Sequence, residues 1–391
     1  MLLNKITYYK ALYILLTLFT LVSCGGSANN MAGGGVGGTG ISVGKITKFG
    51  SVFVNGVEFF TSKETSITSE GKEAAENDLG KGMIVTVTGT FNADGKTGTA
   101  TKIEFKNNLE GPVENIDPIN QTLVVLGQQV KVDKETNFFK TTTTKEPDAT
   151  GTIPVWISKG NIIEVSGFLV DKNGGIHATY IKLKALDLTQ VTEIEVKGFI
   201  SNLNRDTNTF MIGPLTVNFS NLKPEDVPVE GSFVEVTSNK GIENGELIAN
   251  KVELEQHSLI SAENEKVKAG GIVTNVSRLV SYSEFEINDG QVVRIITNTK
   301  CENCKTPDIA SNIILDTKLE IEGTVDANGV LVAEGISFEN NDGGEEKSIA
   351  GASNPSSINE SVVNNNIVPV AEDKPGDTKD EKDGGTDGKE N

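Results

Sequence analysis

The sequence predicts an all-β protein built from tandem small antiparallel OB-like β-barrel modules, with a disordered linker before them and a disordered acidic tail after them. Three observations lead there. First, GMIVTVTG (82–89), GNIIEVSG (160–167), GSFVEVTS (231–238) and DTKLEIEG (316–323) carry aliphatic residues at their fourth and sixth places: Val85 and Val87, Ile163 and Val165, Val234 and Val236, Leu319 and Ile321. Apolar residues at a period of two bury one face of a strand. Second, each motif is followed by a glycine-bearing turn and a recurring strand, ATKIEF, ATYIKL, ANKVEL or AEGISF. The alanines of these strands, Ala100, Ala178, Ala249 and Ala333, stand 18, 18, 18 and 17 residues after the start of the preceding motif. Third, Gly44-Lys45-Ile46, Gly111-Pro112-Val113, Gly198-Phe199-Ile200 and Gly271-Ile272-Val273 open four units, each leading into another alternating apolar segment. A repeat at this spacing is one supersecondary module, and about five short strands per module suit a closed or nearly closed barrel.

In chain order, Lys5 and Lys10 precede ALYILLTLFTLVS (11–23). That apolar run has the length of a secretory core and falls short of the roughly 20 residues that span a bilayer. Residues 1–23 are therefore expected to be an export signal. Its end, Leu21-Val22-Ser23-Cys24, resembles the lipobox of bacterial lipoproteins, which implies cleavage between Ser23 and Cys24 and acylation of Cys24. Several buried acyl chains, at roughly 0.8 kcal/mol per CH2, hold a protein on a bilayer without a spanning segment. Gly25 follows where an inner-membrane retention signal often carries Asp, which in a two-membrane envelope points to the outer membrane.

Residues 24–40 read as a Gly-rich linker. GGGVGGTG (33–40) has the spacing of a dinucleotide-binding loop, but no strand runs into it and no helix runs out, so nothing supplies the N–H groups that hold phosphate. The modules are placed at 41–108, 109–186, 187–258 and 259–340, in a row. The segments between their third and fourth strands vary: TSKETSITSEGKEAAENDLGK, FFKTTTTKEPDATGTIPVWISK, SNLKPEDVPVE and TNTKCENCKTPDIASNIIL. Variable loops on a constant scaffold are where binding residues are expected. From 341 the periodicity is gone, and the last 52 residues hold twelve Asp plus Glu against five Lys, a composition that cannot bury enough apolar surface to fold.

GGVGGTGI, FGSVFVNGVEF, DLGKGMIVTVTGTFNADGKTGTA and IEFKNNLEGPVENID resemble a family of bacterial exported domains of unknown function that occur in tandem in lipoproteins. The likeness is close from Gly34 to about Val132 and weakens through the third and fourth modules, which lack FGS-x-x-VNG. It implies β-barrel modules, export and tandem repetition. It transfers no activity and no catalytic residue.

The chemistry-bearing residues are few. His177 and His257 fall in different modules, so they build neither a zinc cluster nor a shared triad, and His177 is expected on the solvent face of its strand. Gly95-Lys96-Thr97 lacks the earlier glycine of a nucleotide-binding loop and reads as a hairpin turn. Cys301 and Cys304 are close enough for a disulfide after export, with a redox pair and half of a metal site as the other readings. Phe53, Phe59, Phe105, Phe210 and Phe338 sit at core positions, and the single Trp156 reads as packing in core or loop. No catalytic residue, metal ligand set or cofactor is expected. The net charge of −19 opposes nucleic-acid phosphate.

The expected function is that of a non-enzymatic, lipid-anchored envelope protein displaying its modules as a scaffold or as a binder of a protein or cell-wall glycan. Its partners would be the bilayer, through Cys24, and one such envelope component. The alternative is a periplasmic redox or ligand-binding protein using the Cys301/Cys304 loop.

Overall fold

The computed structural model describes residues 38–339 apart from 141–144, 172–173, 256–258, 260–263 and 289. The expected export signal with Ser23 and Cys24, the linker to residue 37, His257 and the acidic tail lie outside the described residues. The chain divides into a unit ending at Asn341, which holds all four modules, and a second from Asp342 to Asn391.

The first module comprises β1 (Gly38–Lys48), β2 (Val52–Val54), β3 (Val57–Phe60), β4 (Ser66–Ser69), β5 (Lys72–Glu73), β6 (Ile84–Phe91) and β7 (Thr97–Phe105). Gly38 to Gly40, read as linker, already belong to β1 and pair with Phe91 to Gly89 of β6. Each strand of the cycle β1-β2-β3-β7-β6 pairs with the next and β6 returns to β1, so the barrel closes. Asn55 and Gly56 turn β2 into β3 with φ of 48° and 70°, the left-handed pair that a two-residue hairpin needs and that Asn-Gly adopts most readily.

The second module has β8 (Leu109–Asp117), β9 (Thr122–Val125), β10 (Gln128–Lys131), β11 (Asn137–Phe139), β12 (Ala149–Thr150), β13 (Ile162–Leu169) and β14 (Ile176–Ala185), and closes as β8-β9-β10-β14-β13. The third has β15 (Ile194–Asn204), β16 (Thr209–Ile212), β17 (Leu215–Asn218), β18 (Phe233–Ser238), β19 (Glu246–Ile248) and β20 (Lys251–Leu254). Its last strand is broken: β19 pairs with β17, while β20 pairs with β18. The fourth has β21 (Lys266–Asn275), a single helical turn α1 (Leu279–Tyr282), β22 (Glu284–Ile287), β23 (Gln291–Glu302), β24 (Lys318–Val325) and β25 (Leu331–Phe338), closing as β21-β22-β23-β25-β24.

The modules do not stand in a row. β1 runs parallel to β21, Gly40 beside Lys266, so the first and last barrels share a sheet. β8 and β15 join the second and third barrels too, but antiparallel, with Glu195 beside Glu110. Side chains stitch both seams. Asn55 Nδ2, from the VNG turn, donates to Val43 O at 2.8 Å and across the seam to Lys268 O at 3.1 Å. Gln128 Nε2 donates to Leu126 O at 2.9 Å and across its seam to Ile212 O at 3.0 Å.

Most strands bury alternate residues, as β24 does along its whole length. β13 is buried throughout, because its outward face lies against the first module: Ile84 N donates to Ser166 Oγ at 3.1 Å, and Thr179 Oγ1 to Gly82 O at 2.6 Å. Phe139 and Tyr180 of the second module enter the core of the first, where the Tyr180 ring lies 4.9 Å from Phe139 and 6.0 Å from Phe105. Phe59, Phe105, Phe210 and Phe338 are buried as expected, whereas Phe53 is half-buried on the outer side of β2.

Candidate functional site

The charged residues gather at two junctions between modules. At the first, Asp133 begins the turn after β10: Glu135 N donates to its Oδ1 at 2.9 Å, and Thr136 N to its carbonyl at 2.9 Å. Asp133 Oδ2 accepts from Lys318 of the fourth module at 2.7 Å and lies 2.7 Å from His177 Nε2. Glu135 Oε2 takes Lys318 at 2.7 Å and Lys45 of the first module at 2.9 Å, and Lys45 also reaches Glu339 at 2.9 Å. Three modules are thus tied by one ion network.

Burial opposes ionisation of both carboxyls here, yet the hydrogen bonds from His177 and Lys318 hold Asp133 well below the ordinary carboxylate range. For Glu135 burial is outweighed by Lys45 and Lys318, which bring its pKa down to about 2. Lys45 is pushed up, because Glu339 and Glu135 more than offset its own burial. The expectation for His177 is corrected: its side chain is 12% exposed, since the Asp133 turn and the fourth module cover that part of β14.

At the second junction, Lys197 of β15 is buried, with a side chain 4% exposed, between the first and third modules. Its Nζ lies 2.7 Å from Glu70 Oε2 and 3.1 Å from Glu235 Oε2. Asn107, in the link from β7 to β8, donates its backbone N–H to Glu70 and its Nδ2 to Glu195. Burial raises Glu195 to about 7, against the opposing pull of Lys197 and with Glu70 adding to the rise. Burial raises Glu70 as well. Lys197 is raised despite its burial because Glu70, Glu195 and Glu235 surround it. Oxygens of those three glutamates lie within 4.8 Å of one another, the one acidic grouping of metal-binding size among the described residues. The Lys197 ammonium already serves as their cation, so the arrangement works as an internal counter-ion site.

Sequence reasoning missed both junctions. Glu195 and Lys197 alternate with buried Ile194 and Val196 in β15, so they read as a wetted face. Only the first module docking on that face makes them interior.

The residues singled out in the sequence lie apart. Cys301 and Cys304 are joined by a disulfide with Cα atoms 5.9 Å apart, and both pack against the fourth core. The segment placed in a loop is in part strand, since β23 runs on to Glu302 and pairs Cys301 with Ile336. Trp156 packs edge-on to Phe138 at 6.5 Å, against the second and third cores. Gly95-Lys96-Thr97 closes a hairpin in which Asp94 Oδ1 accepts from Lys96 N and Thr97 N at 2.8 and 2.9 Å. A shallow recess lined by Phe91, Gly95, Lys266 and Lys268 sits on the seam of the first and fourth modules.

No curated protein matches the sequence. A family model described as a domain of unknown function, DUF5666, matches at residues 42–104, 110–182 and 270–337, which correspond to the first, second and fourth modules. The weakening expected over the last two modules therefore falls on the third, and the fourth is matched over nearly its whole barrel. With more than half of the chain covered by three tandem matches, the protein belongs to the DUF5666 family.

Proposed function

We infer that this chain is a non-enzymatic envelope protein, lipid-anchored through Cys24, whose four barrels form a single scaffold that presents its variable loops to a protein or cell-wall glycan. The observation that carries the reading is how the charges are used. Lys45, Lys318 and Lys197, with Asp133, Glu135 and Glu70, tie modules together. Buried pairs of this kind contribute little net stability but penalise any arrangement that separates the partners, which suits a body that holds binding edges at fixed spacing. The Leu21–Cys24 sequence supports the anchor, and Gly25, where an inner-membrane retention signal often carries Asp, favours the outer membrane. The acidic surface favours partners other than nucleic acid.

Fractionation of cells carrying wild type or Cys24→Ala tests the anchor: wild type is expected in the membrane fraction and the variant in the soluble one. Equal membrane association of the two would remove the lipid from the account. A pull-down with the full chain, compared with chains whose 61–81 or 140–161 loop is replaced by a short glycine linker, is expected to recover an envelope component only when the loops are present.

A further inference from the structure

Three of the four barrels carry a strand beyond the five that close them. β4 lies parallel to the end of β7, with Ile67 beside Ile103 and Ser69 beside Phe105. β11 lies in the same way on β14, with Phe138 beside Ile181. The last residues of β23 do so on β25, with Cys301 beside Ile336. Ile103, Ile181 and Ile336 each stand three residues after the recurring alanine, and the added strand seats one apolar side chain, Ile67, Phe138 or Cys301, next to them. Polar neighbours flank it on both sides in the first and fourth modules, Ser66 and Thr68, and Lys300 and Glu302, and on one side in the second, Asn137, where Phe139 on the other side enters the first core.

In the third module the same three-residue step from Ala249 arrives at Val252 in β20. β20 pairs with β18, and among the described residues no strand lies on its outer edge. The connection from β17 to β18 is short and holds only one 3-10 turn, Pro224–Asp226. Side chains covered elsewhere are open here. Leu254 is 70% exposed, whereas Phe105 and Phe338 at the matching places are 1% and 8% exposed. Glu255 N donates to Phe233 O at 2.9 Å, so by the alternation of an antiparallel ladder the N–H and C=O groups of Val252 and Leu254 face outward. Around this edge carboxylates are in excess: Glu193, Glu235 and Glu253 all act on Lys251, and Glu255 takes Lys106 at 2.5 Å.

We propose that the outer edge of β20 is a strand-acceptor site for an extended segment of a partner polypeptide. The segment lies parallel to β20, seats one apolar residue beside Val252 and Leu254, and carries a Lys or Arg that answers the surrounding carboxylates. The three filled edges in the same chain supply the orientation and side-chain pattern, and strand addition supplies the main-chain hydrogen bonds. The proposal rests on the reading of this protein as a binder and names the chemistry of what it binds.

The test uses the full mature chain and a synthetic peptide of residues 61–72, TSKETSITSEGK, which contains the first module's added strand and two lysines, with a scrambled peptide as control. Binding is expected for the native order alone, with slowed hydrogen exchange at the amides of Val252 and Leu254. Leu254→Pro removes an outward N–H and no bond to β18, so it is expected to weaken binding by about ten-fold or more while the melting temperature stays within ~2 °C. Leu254→Asp leaves the backbone donor in place, removes the apolar seat and adds an acid, and is expected to weaken binding too. Slow exchange at Val252 and Leu254 in the free chain would mean the chain covers its own edge and would overturn the proposal. So would equal binding of the peptide by wild type and both variants. Recovery of one envelope partner by wild type and Leu254→Pro alike would overturn the strand site while leaving the scaffold reading intact. Peptide binding lost in the variants, with no envelope partner recovered by any chain, would uphold the site against that reading.

Discussion

Opposite Ala100 in the first barrel stands Gly89, and the same place in the third barrel holds Ser238. At Gly89, Gly167 and Gly323 the paired strand bulges: Thr101, Thr179 and Glu334 are skipped in the ladder. The bulge brings a carbonyl so close that a Cβ on the glycine would lie 2.1, 2.2 and 2.0 Å from Thr99 O, His177 O and Val332 O. Because glycine has no Cβ, the ladder continues past the bulge and the last strand stays whole. Ser238 has one. Its Oγ instead donates to Ile248 O at 2.7 Å, the ladder with β18 ends, and the strand splits into β19 and β20. Among the described residues the third barrel also lacks the added strand, and the family model passes over it. One side-chain carbon at the bulge and one missing strand thus separate it from its neighbours, while the five-strand plan and the positions of Val234 and Val236 stay the same.

The largest expected contrast compares equivalent positions. Phe105→Ala should cost about 3–5 kcal/mol, because the first core cannot collapse around the space left by a fully buried ring. Leu254→Ala should stay within about 0.5 kcal/mol in the chain alone, as for any exposed side chain. Denaturant midpoints of the two variants measure this, and comparable losses would mean that the edge of β20 is covered after all.

Next comes the link between the differing modules. Lys197 belongs to the third barrel and holds Glu70, which follows the added strand of the first and donates its N–H to Phe105 O at 3.1 Å. Lys197→Met strands Glu70, Glu195 and Glu235 without their cation and should cost about 3–5 kcal/mol at neutral pH. Hydrogen exchange should then speed up first in β4 and β20, on both sides of the junction.

Gly167→Ser, which writes the third module's residue into the second, should destabilise by about 1–3 kcal/mol through the clash with His177 O. The variant is expected to lose protection at the C-terminal half of β13. If it gains the split strand of the third module at no cost in stability, the bulge is not what requires glycine.

The smallest effect is in pH dependence, and it has opposite signs at the two junctions. Glu195 is raised to about 7, so between its ordinary unfolded value and 7 the folded state keeps a proton the unfolded chain loses. Stability from this group is therefore present at low pH and falls as pH rises through 7. Asp133 and Glu135 are lowered, so their contribution is present above the ordinary carboxylate range and is lost as pH falls toward 2. Glu195→Gln should flatten the neutral limb of a profile of unfolding free energy against pH by on the order of 1 kcal/mol and leave the acid limb unchanged.

Much of the fold could be read from the chain because it depends on local repetition. The fourth- and sixth-place aliphatics, the Asn55-Gly56 turn and the alanines at near-constant spacing act through nearest neighbours along and across one hairpin, and each leaves its mark in the sequence where it acts. The barrels, their number and their strand plan follow from that. The added strands were harder to see: Ser66–Ser69 and Asn137–Phe139 are only four and three residues long, and their pairing is with strands more than thirty residues away.

What the sequence determined by itself, then, is the all-β modular plan, since alternation and turn chemistry are local properties. What only the tertiary structure decided is which modules meet, that the first joins the fourth through β1 and β21, and that Lys197, Asp133 and Glu135 become interior charges. A polar residue on the outer face of a strand carries no sign of whether water or another barrel will cover it, and that choice depends on surfaces brought together across hundreds of residues.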